Sequence, residues 1–290
     1  MGSWLGGFWS LSSAGEGNSG YPAFDEASLD RELANHDRLR GLVFHVKHPS
    51  LSPEGRALLE QNAARLGLVL SSATLEALER LYEMLRREDA PTALKEEGEI
   101  VIKHLLDSLT GLLATSWEAG IRVLDVGSGA GLPGLPLQLA RPDLELVLLE
   151  SVGKKARYLQ VLCQELGLKA TAILWGRAEL WGRDPAHRGR YDRAVIRAVG
   201  SLSLSLELGL PFLRPGGQLV VYKGPAVEAE LEQGLRAANL LGAELIRDVA
   251  LELTQGEDRR RLLVFEQRRV VPERFPRAPG LPRKHPLGAS

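Results

Sequence analysis

The stretch Val123–Gly134, V-L-D-V-G-S-G-A-G-L-P-G, constrains this chain more than any other. Ile121, Val123, Leu124 and Val126 make an apolar, β-branched run short enough to be a buried strand. The run carries Asp125 and is followed by Gly127, Gly129 and Gly131, with a second apolar element opening at Leu132. Glycines at this spacing let the backbone turn tightly and let a ligand approach it without meeting a Cβ. The first N–H groups of a helix have no partner inside it, so those of the helix that follows are expected to face that ligand. Strand, glycine turn and helix together make a nucleotide-type binding loop.

Two details narrow the nucleotide. A dinucleotide fingerprint needs G-x-G-x-x-G, and counting from Gly127 its third glycine falls on Leu132. The spacing here is G-x-G-x-G instead. Further on, the apolar run Leu144–Leu149 ends in Glu150, where a second strand presents a carboxylate to ribose hydroxyls. A carboxylate there argues for an unphosphorylated ribose. An adenosine ligand without a pyrophosphate fits both details, and S-adenosylmethionine is the commonest such cofactor. A bland tight turn remains the alternative for the loop alone.

Composition limits the rest. The formal net charge is −1, so a nucleic-acid surface has to be a local patch. One cysteine, Cys163, excludes a disulfide framework and a cysteine-rich zinc site and suits a reducing compartment. No apolar run is long enough to span a bilayer, and the Trp4–Trp9 stretch lacks the basic residues of a secretory signal. A cytoplasmic monomer is the expectation, with no membrane partner.

Residues 1–42 are rich in Gly and Ser and then in mixed charge, which reads as a disordered extension. Val43–His48 pairs His45 with His48 without further metal ligands, so a surface loop is expected and no metal site. Phe44-His45-Val46-Lys47 is encodable as TTT-CAC-GTG-AAA, which resembles the palindromic site of ParB-type partition proteins; translation starting at Val43 is a further expectation. Ser52-Pro53-Glu54 signals a helix start. A second helix from Ser72 or Thr74 aligns Leu75, Leu78, Leu81, Tyr82 and Leu85, and a third from Glu97 aligns Ile100, Val101, Leu105 and Leu109. Residues 43–117 thus read as a helical subdomain too small to stand alone. From 118 to 267, strands at 121–126, 144–150, 170–175, 191–196 and 218–223 alternate with helices from about 131, 154, 177, 200 and 226, the pattern of a parallel sheet covered on both faces. Ala243–Leu253 and Arg261–Glu266, joined by Thr254–Arg260, read as an antiparallel pair closing the sheet. Residues 268–290 form a basic tail kept non-helical by five prolines.

His104-Leu105-Leu106-Asp107-Ser108, Asp125–Gly134 with its L-P-G ending, Arg197-Ala198 and Lys223-Gly224 resemble the small-subunit ribosomal RNA guanine-N7 methyltransferase family, RsmG or GidB, from about residue 43 to the end. The resemblance implies an α/β class I (Rossmann-like) S-adenosylmethionine-dependent methyltransferase fold, with a mostly parallel seven-strand sheet and an N-terminal helical extension. It implies cofactor contacts at Gly127, Gly129, Leu132, Glu150, Ser151 and Val152, with Ala178 and Glu179 flanking the adenine. It places Arg197 at the cofactor and the reaction centre, as the catalytic residue. His104, Asp107, Lys223 and Arg260 become candidates for the substrate side, and 16S ribosomal RNA or the small subunit becomes the partner. The family's Asn-Leu-Thr before the third helix is here Ala90-Pro91-Thr92, so the asparagine's role is lost or supplied elsewhere.

Guanine N7 has an exposed lone pair, so its methylation demands positioning and needs no base. The chain agrees: it lacks the Asn/Asp-Pro-Pro-aromatic motif of amino-group methyltransferases, and Cys163 sits inside a predicted helix as a small apolar residue. Arg197 at a strand end could donate to guanine O6, to the cofactor or to a phosphate, or pair with a neighbouring acid. Lys223 has an equivalent edge position or is an exposed strand-end lysine. His104 and Asp107, three apart, close the pocket or make a local hydrogen bond. Arg259–Arg261 and the tail contact phosphates or are a solvated charge run. A methyltransferase for another RNA position or a small molecule, and a cofactor-binding assembly protein without turnover, are the competing functions.

Overall fold

The computed structural model describes residues 50–169 and 171–289. The expectations for the 1–42 extension, for His45 and His48 and for a start at Val43 lie outside the described residues.

The first helix, α1 (Pro53–Arg65), is capped by Ser52, whose hydroxyl accepts from the Gly55 N–H at 2.9 Å. Ser71 caps α2 (Ser72–Leu85) in the same way, accepting from Thr74 at 3.1 Å. Each cap contributes about 1 kcal/mol. Leu75, Leu78, Leu81, Tyr82 and Leu85 of α2 are all buried, as their spacing requires. The third helix, α3, departs from regularity. It opens α-helically at Glu97–Glu99, widens into a π-helix over Ile100–Leu106 and closes α-helically over Asp107–Leu109. Glu97 binds the three helices together, accepting from the Ser52 N–H at 3.2 Å, the Ser52 hydroxyl and the Tyr82 hydroxyl at 3.0 Å.

The sheet contains β1 (Arg122–Val126), β2 (Glu145–Glu150), β3 (Ala172–Trp175), β4 (Tyr191–Arg197), β5 (Leu213–Lys223), β6 (Ala243–Thr254) and β7 (Glu257–Gln267). Their order is β3-β2-β1-β4-β5-β7-β6. The first five are parallel, and β7 runs antiparallel between β5 and β6. The helices between strands are α4 (Gly134–Ala140), α5 (Gly153–Glu165), the single turn α6 (Ala178–Trp181), α7 (Leu202–Gly209) and α8 (Glu228–Leu241). Alternate residues of each strand feed two hydrophobic clusters. Val123, Leu146 and Leu148 join one with the three N-terminal helices, α4 and α5; Leu124, Val147 and Leu149 join the other with α7 and α8. The N-terminal helices therefore complete the core of the sheet.

Three expectations are corrected. The β6–β7 turn is only Gln255-Gly256, not Thr254–Arg260, so Arg259, Arg260 and Arg261 lie on a strand and point alternately to opposite faces. Helix α4 begins at Gly134, three residues later than expected. The tail is neither free nor wholly non-helical. Arg188 donates to the Val271 and Phe275 carbonyls, both at 2.8 Å, and Pro282 sits in a last helical turn, α9 (Leu281–Lys284). A proline in a first turn loses no helical hydrogen bond. Arg277 clamps the buried Glu207 through Nε at 2.9 Å and Nη2 at 2.6 Å, satisfying a charge that could not stay buried alone.

Candidate active site

The strand order reverses between β1 and β4, and the carboxyl ends of those strands are where open α/β sheets bind ligands. Gly127, Gly129 and Gly131 follow β1 with φ of +76°, +57° and +86°, a left-handed backbone that other residues rarely adopt. A Cβ at Gly127 would strike Val199 Cγ2 at 2.9 Å. At Gly129 it would meet nothing nearer than the Gly127 carbonyl at 3.9 Å, so there the positive φ alone calls for glycine. Leu132 is buried and donates its N–H to Ser128 at 3.0 Å.

Glu150 ends β2 and is buried. One carboxylate oxygen accepts from the Gly129 N–H at 2.9 Å and the other from the Val152 N–H at 2.8 Å, so this side chain ties the glycine loop to the end of β2. Oε1 also accepts from the Ser151 hydroxyl at 3.5 Å, while Oε2 keeps a second lone pair for a ligand hydroxyl. Ser151 and Val152 are exposed beside it. Ala178 and Glu179 open α6, but the Glu179 carboxylate turns to the Gly280 N–H at 3.1 Å.

The first N–H groups of α4, expected to be free, already have partners within the protein. The Gly134 N–H donates at 2.9 Å to Asp125 Oδ2, turning the start of α4 inward, while Asp125 Oδ1 has no partner. Burial raises the Asp125 pKa from 3.8 to about 7, against the Gly134 N–H and the Arg197 charge, which lower it. Because the folded value lies above the unfolded one, the stability this group contributes is complete below about pH 4 and is lost as pH rises through about 7. Asp125→Asn keeps an acceptor for Gly134 and cannot ionise. Thermal unfolding of both proteins should show the wild type losing ground to the variant between pH 5 and pH 8, and a gap independent of pH would contradict the assignment.

At the carboxyl ends of β4 and β5 lies a cavity of about 410 Å³ lined by His104, Asp107, Arg197, Tyr222, Lys223 and Arg260 among others. It gathers every substrate-side candidate. The sheet register explains why: Arg197 pairs with Tyr222 across β4 and β5, and Lys223 with Arg261 across β5 and β7, so three strand ends supply cations at one edge. Asp107 is buried between two of them, with Oδ2 accepting from Arg197 Nη1 at 3.0 Å and Oδ1 from Arg260 Nε at 3.1 Å. Arg197 also donates to the Lys103 carbonyl at 3.3 Å, in the π-helical segment. The residue after it, Ala198, has φ +58°, a costly backbone state for alanine at the point where the chain leaves β4. Lys223 is no exposed strand-end lysine. Its Nζ donates to the Gly200 carbonyl at 2.6 Å and to Glu230 at 2.9 Å, bracing the loop after β4. Arg259 and Arg261 are turned to Glu252 and to Asp248 and Glu228, leaving Arg260 alone of the three at the pocket.

His104 Nε2 lies 2.6 Å from Thr92 Oγ1. Burial first, then the Arg197 charge, lowers its pKa below the usual histidine value, so it is neutral near pH 7. Thr92 is the part of the family's Asn-Leu-Thr that this chain retains, and it seats the histidine. Two contributors escaped the sequence reading. Tyr222 looks like one more strand residue, yet its hydroxyl donates to the Ser108 carbonyl at 2.8 Å and joins α3 to β5. Lys103 looks like an exposed helix residue, yet its carbonyl receives Arg197. A buried tyrosine needs a partner for its hydroxyl, which was the one available signal. Cys163 is fully buried and its thiol is pushed up to about 12, as an inert core residue should be.

A seven-stranded sheet in this order, with an antiparallel strand inserted beside β5 and a glycine loop after β1, is the class I (Rossmann-like) methyltransferase fold. The profile of the family described as rRNA small subunit methyltransferase G (GidB) matches residues 74–260. The chain belongs to that family. It is 42% identical over 241 residues to a ribosomal RNA small subunit methyltransferase G of Deinococcus radiodurans, covering 82% of this chain and 95% of the relative. It is 38% identical over 232 residues to the protein of that name from Pelotomaculum thermopropionicum, covering 79% and 97%. Among solved structures, M. jannaschii TYW2 in complex with AdoMet aligns with TM-score 0.43 and 16% identity over 56% of this chain and 74% of that one. No helix among the described residues is long and apolar enough to cross a membrane.

Proposed function

We propose that this chain transfers the methyl group of S-adenosyl-L-methionine to N7 of a guanine in 16S ribosomal RNA of the small subunit, as a monomer in the cytoplasm. One observation carries the reading beyond family membership: the glycine loop and the cation-lined pocket open at the carboxyl ends of adjacent strands, β1 and β4. Val126 of β1 pairs with Ile196 of β4, so the glycine loop that follows β1 and the Arg197-Ala198 edge of the pocket that ends β4 leave the sheet side by side.

The glycine cradle and Glu150 fit the cofactor, with Gly127, Gly129 and Leu132 along its methionine part, Glu150 at the ribose, and Ser151, Val152, Ala178 and Glu179 around the adenine. When bound, that cofactor supplies an electrophilic methyl on a sulfonium. N7 already offers a lone pair, so the residues here orient the base and exclude water, and no proton has to be removed. The site's own histidine agrees, because both ring nitrogens of His104 are engaged, Nε2 2.6 Å from Thr92 Oγ1 and Nδ1 3.2 Å from the Lys103 carbonyl oxygen. Arg197 at the carboxyl end of β4 is the catalytic residue, orienting the base. His104 and Lys223 shape the pocket, and Arg260 faces the RNA.

Nucleoside mass spectrometry of ribosomal RNA from a strain lacking the gene tests this. Small-subunit RNA should lose 7-methylguanosine, and an unchanged content would refute the assignment.

A further inference from the structure

The pocket holds two groups whose pairing goes further than orienting a base. Asp107 and Arg197 lie side by side, hydrogen-bonded at 3.0 Å, with the Asp107 side chain 5% and the Arg197 side chain 14% exposed, and both line the cavity. We propose, resting on the methyl-transfer reading above, that they form a base-reading pair: Arg197 donates to O6 of the target guanine while Asp107 accepts from its N1–H and N2–H.

The chemistry of the bases selects guanine for such a pair. Along one edge guanine presents an acceptor, O6, followed by two donors, N1–H and the N2 amino group. A donor beside an acceptor-only carboxylate matches that order. Adenine presents the reverse, an amino donor and then a bare N1, and cytosine likewise an amino donor and then a bare N3. Either base would set an N–H against the guanidinium and a lone pair against the carboxylate, and unpaired buried polar groups are what make a site reject the wrong ligand. Uracil matches the first two positions but has an acceptor where guanine has its second donor.

Asp107 has the capacity to do this without releasing its arginines. Each carboxylate oxygen has two lone-pair positions, and each accepts one hydrogen bond from an arginine, Arg197 on Oδ2 and Arg260 on Oδ1. The two guanidinium groups also fix its orientation, so the reading edge is set before a base arrives. N7 lies on the far side of O6 from N1, so the pair leaves it uncovered.

The same pair serves the reaction. Methylation at N7 makes the purine a cation and its N1–H a stronger donor. A carboxylate already at N1–H therefore bonds more tightly as the methyl arrives, which stabilises the transition state over the ground state. Arg197, held at O6 and to Asp107, is kept off the atom that becomes charged.

The test uses small subunits reconstituted with 16S RNA whose target guanosine, located beforehand as the 7-methylguanosine made by the wild-type enzyme, is replaced by inosine. Inosine lacks only the N2 amino group. The wild type should prefer guanosine by about tenfold or more in kcat/KM. In Asp107→Asn, where an amide in either orientation turns one acceptor into a donor, the rate should fall and the preference should shrink below about threefold. A residue that merely props Arg197 would lower the rate and leave the preference intact, and that result overturns the proposal. Equal wild-type rates on guanosine and inosine overturn it without any variant. Asp107→Glu, which displaces the carboxylate by one methylene, replaces the asparagine variant under the same criterion if that variant does not fold. A wild type that transfers no methyl to guanosine-containing subunits fails the methyl-transfer reading itself, an outcome distinct from equal rates.

Discussion

Arg197→Ala is expected to lower kcat/KM for methyl transfer by about a hundredfold, or about 2.7 kcal/mol of transition-state stabilisation. Part of the loss is the donor itself. A single preorganised donor aimed at a reacting group commonly contributes a factor of this size. The rest comes from what is left behind. Asp107 would keep only Arg260, and a buried carboxylate deprived of one of two guanidinium partners no longer holds one orientation. Arg197→Lys should recover only part of the rate, because an ammonium is a single point charge and does not reproduce the planar fork with which Arg197 reaches Asp107, the Lys103 carbonyl and a base from different nitrogens. Steady-state methylation of small subunits by both variants, with melting temperatures measured alongside, checks this. Full activity in Arg197→Ala would remove the residue from the reaction.

Glu150→Ala should weaken binding of S-adenosylhomocysteine by about fifty- to a hundredfold. A charge-assisted hydrogen bond to a ribose hydroxyl is itself worth about 1.5–3 kcal/mol. The structure adds a second cost, since the same carboxylate holds the Gly129 and Val152 N–H groups and so fixes the loop against β2. Without it, ordering the loop falls to the binding step. Glu150→Gln retains an acceptor but brings an amide donor towards N–H groups, so an intermediate loss is expected. Isothermal titration calorimetry decides, and affinity unchanged in Glu150→Ala would place the ribose elsewhere.

The strands were legible because a buried parallel strand is a short apolar run, and Val123–Val126, Leu146–Leu149 and Ala194–Ile196 give the chain such runs. The N-terminal helices were legible from Ser52, Ser71 and the leucine spacing. What stayed hidden depended on partners distant in sequence. β5 begins at Leu213, where Pro215, Gly216 and Gly217 read as a turn, because the register with β4 shifts between Tyr191 and Arg193 and accommodates them. The basic tail looked solvated because its anchors are Glu207 and Glu179, 70 and 101 residues away. The π-helix leaves no mark, since Ile100–Leu106 has the apolar spacing of an ordinary helix.

In the site, the glycine loop and Glu150 could be inferred from spacing and chemistry alone. The substrate side could not. His104, Asp107, Arg197 and Arg260 are unremarkable singly, and only the resemblance to the family brought them together before the fold did. Their common pocket is a product of the β4, β5 and β7 register, which local pattern does not encode.

On the function proposed above, loop and pocket, side by side at the ends of β1 and β4, serve methyl transfer to a guanine. The most direct measurement incubates the purified chain with S-adenosylmethionine carrying an isotopically labelled methyl group and small ribosomal subunits, then digests the RNA for nucleoside mass spectrometry. The label should appear as 7-methylguanosine at one position of 16S RNA. Label in another nucleoside, or none above a control lacking enzyme while S-adenosylhomocysteine still binds, would contradict the account.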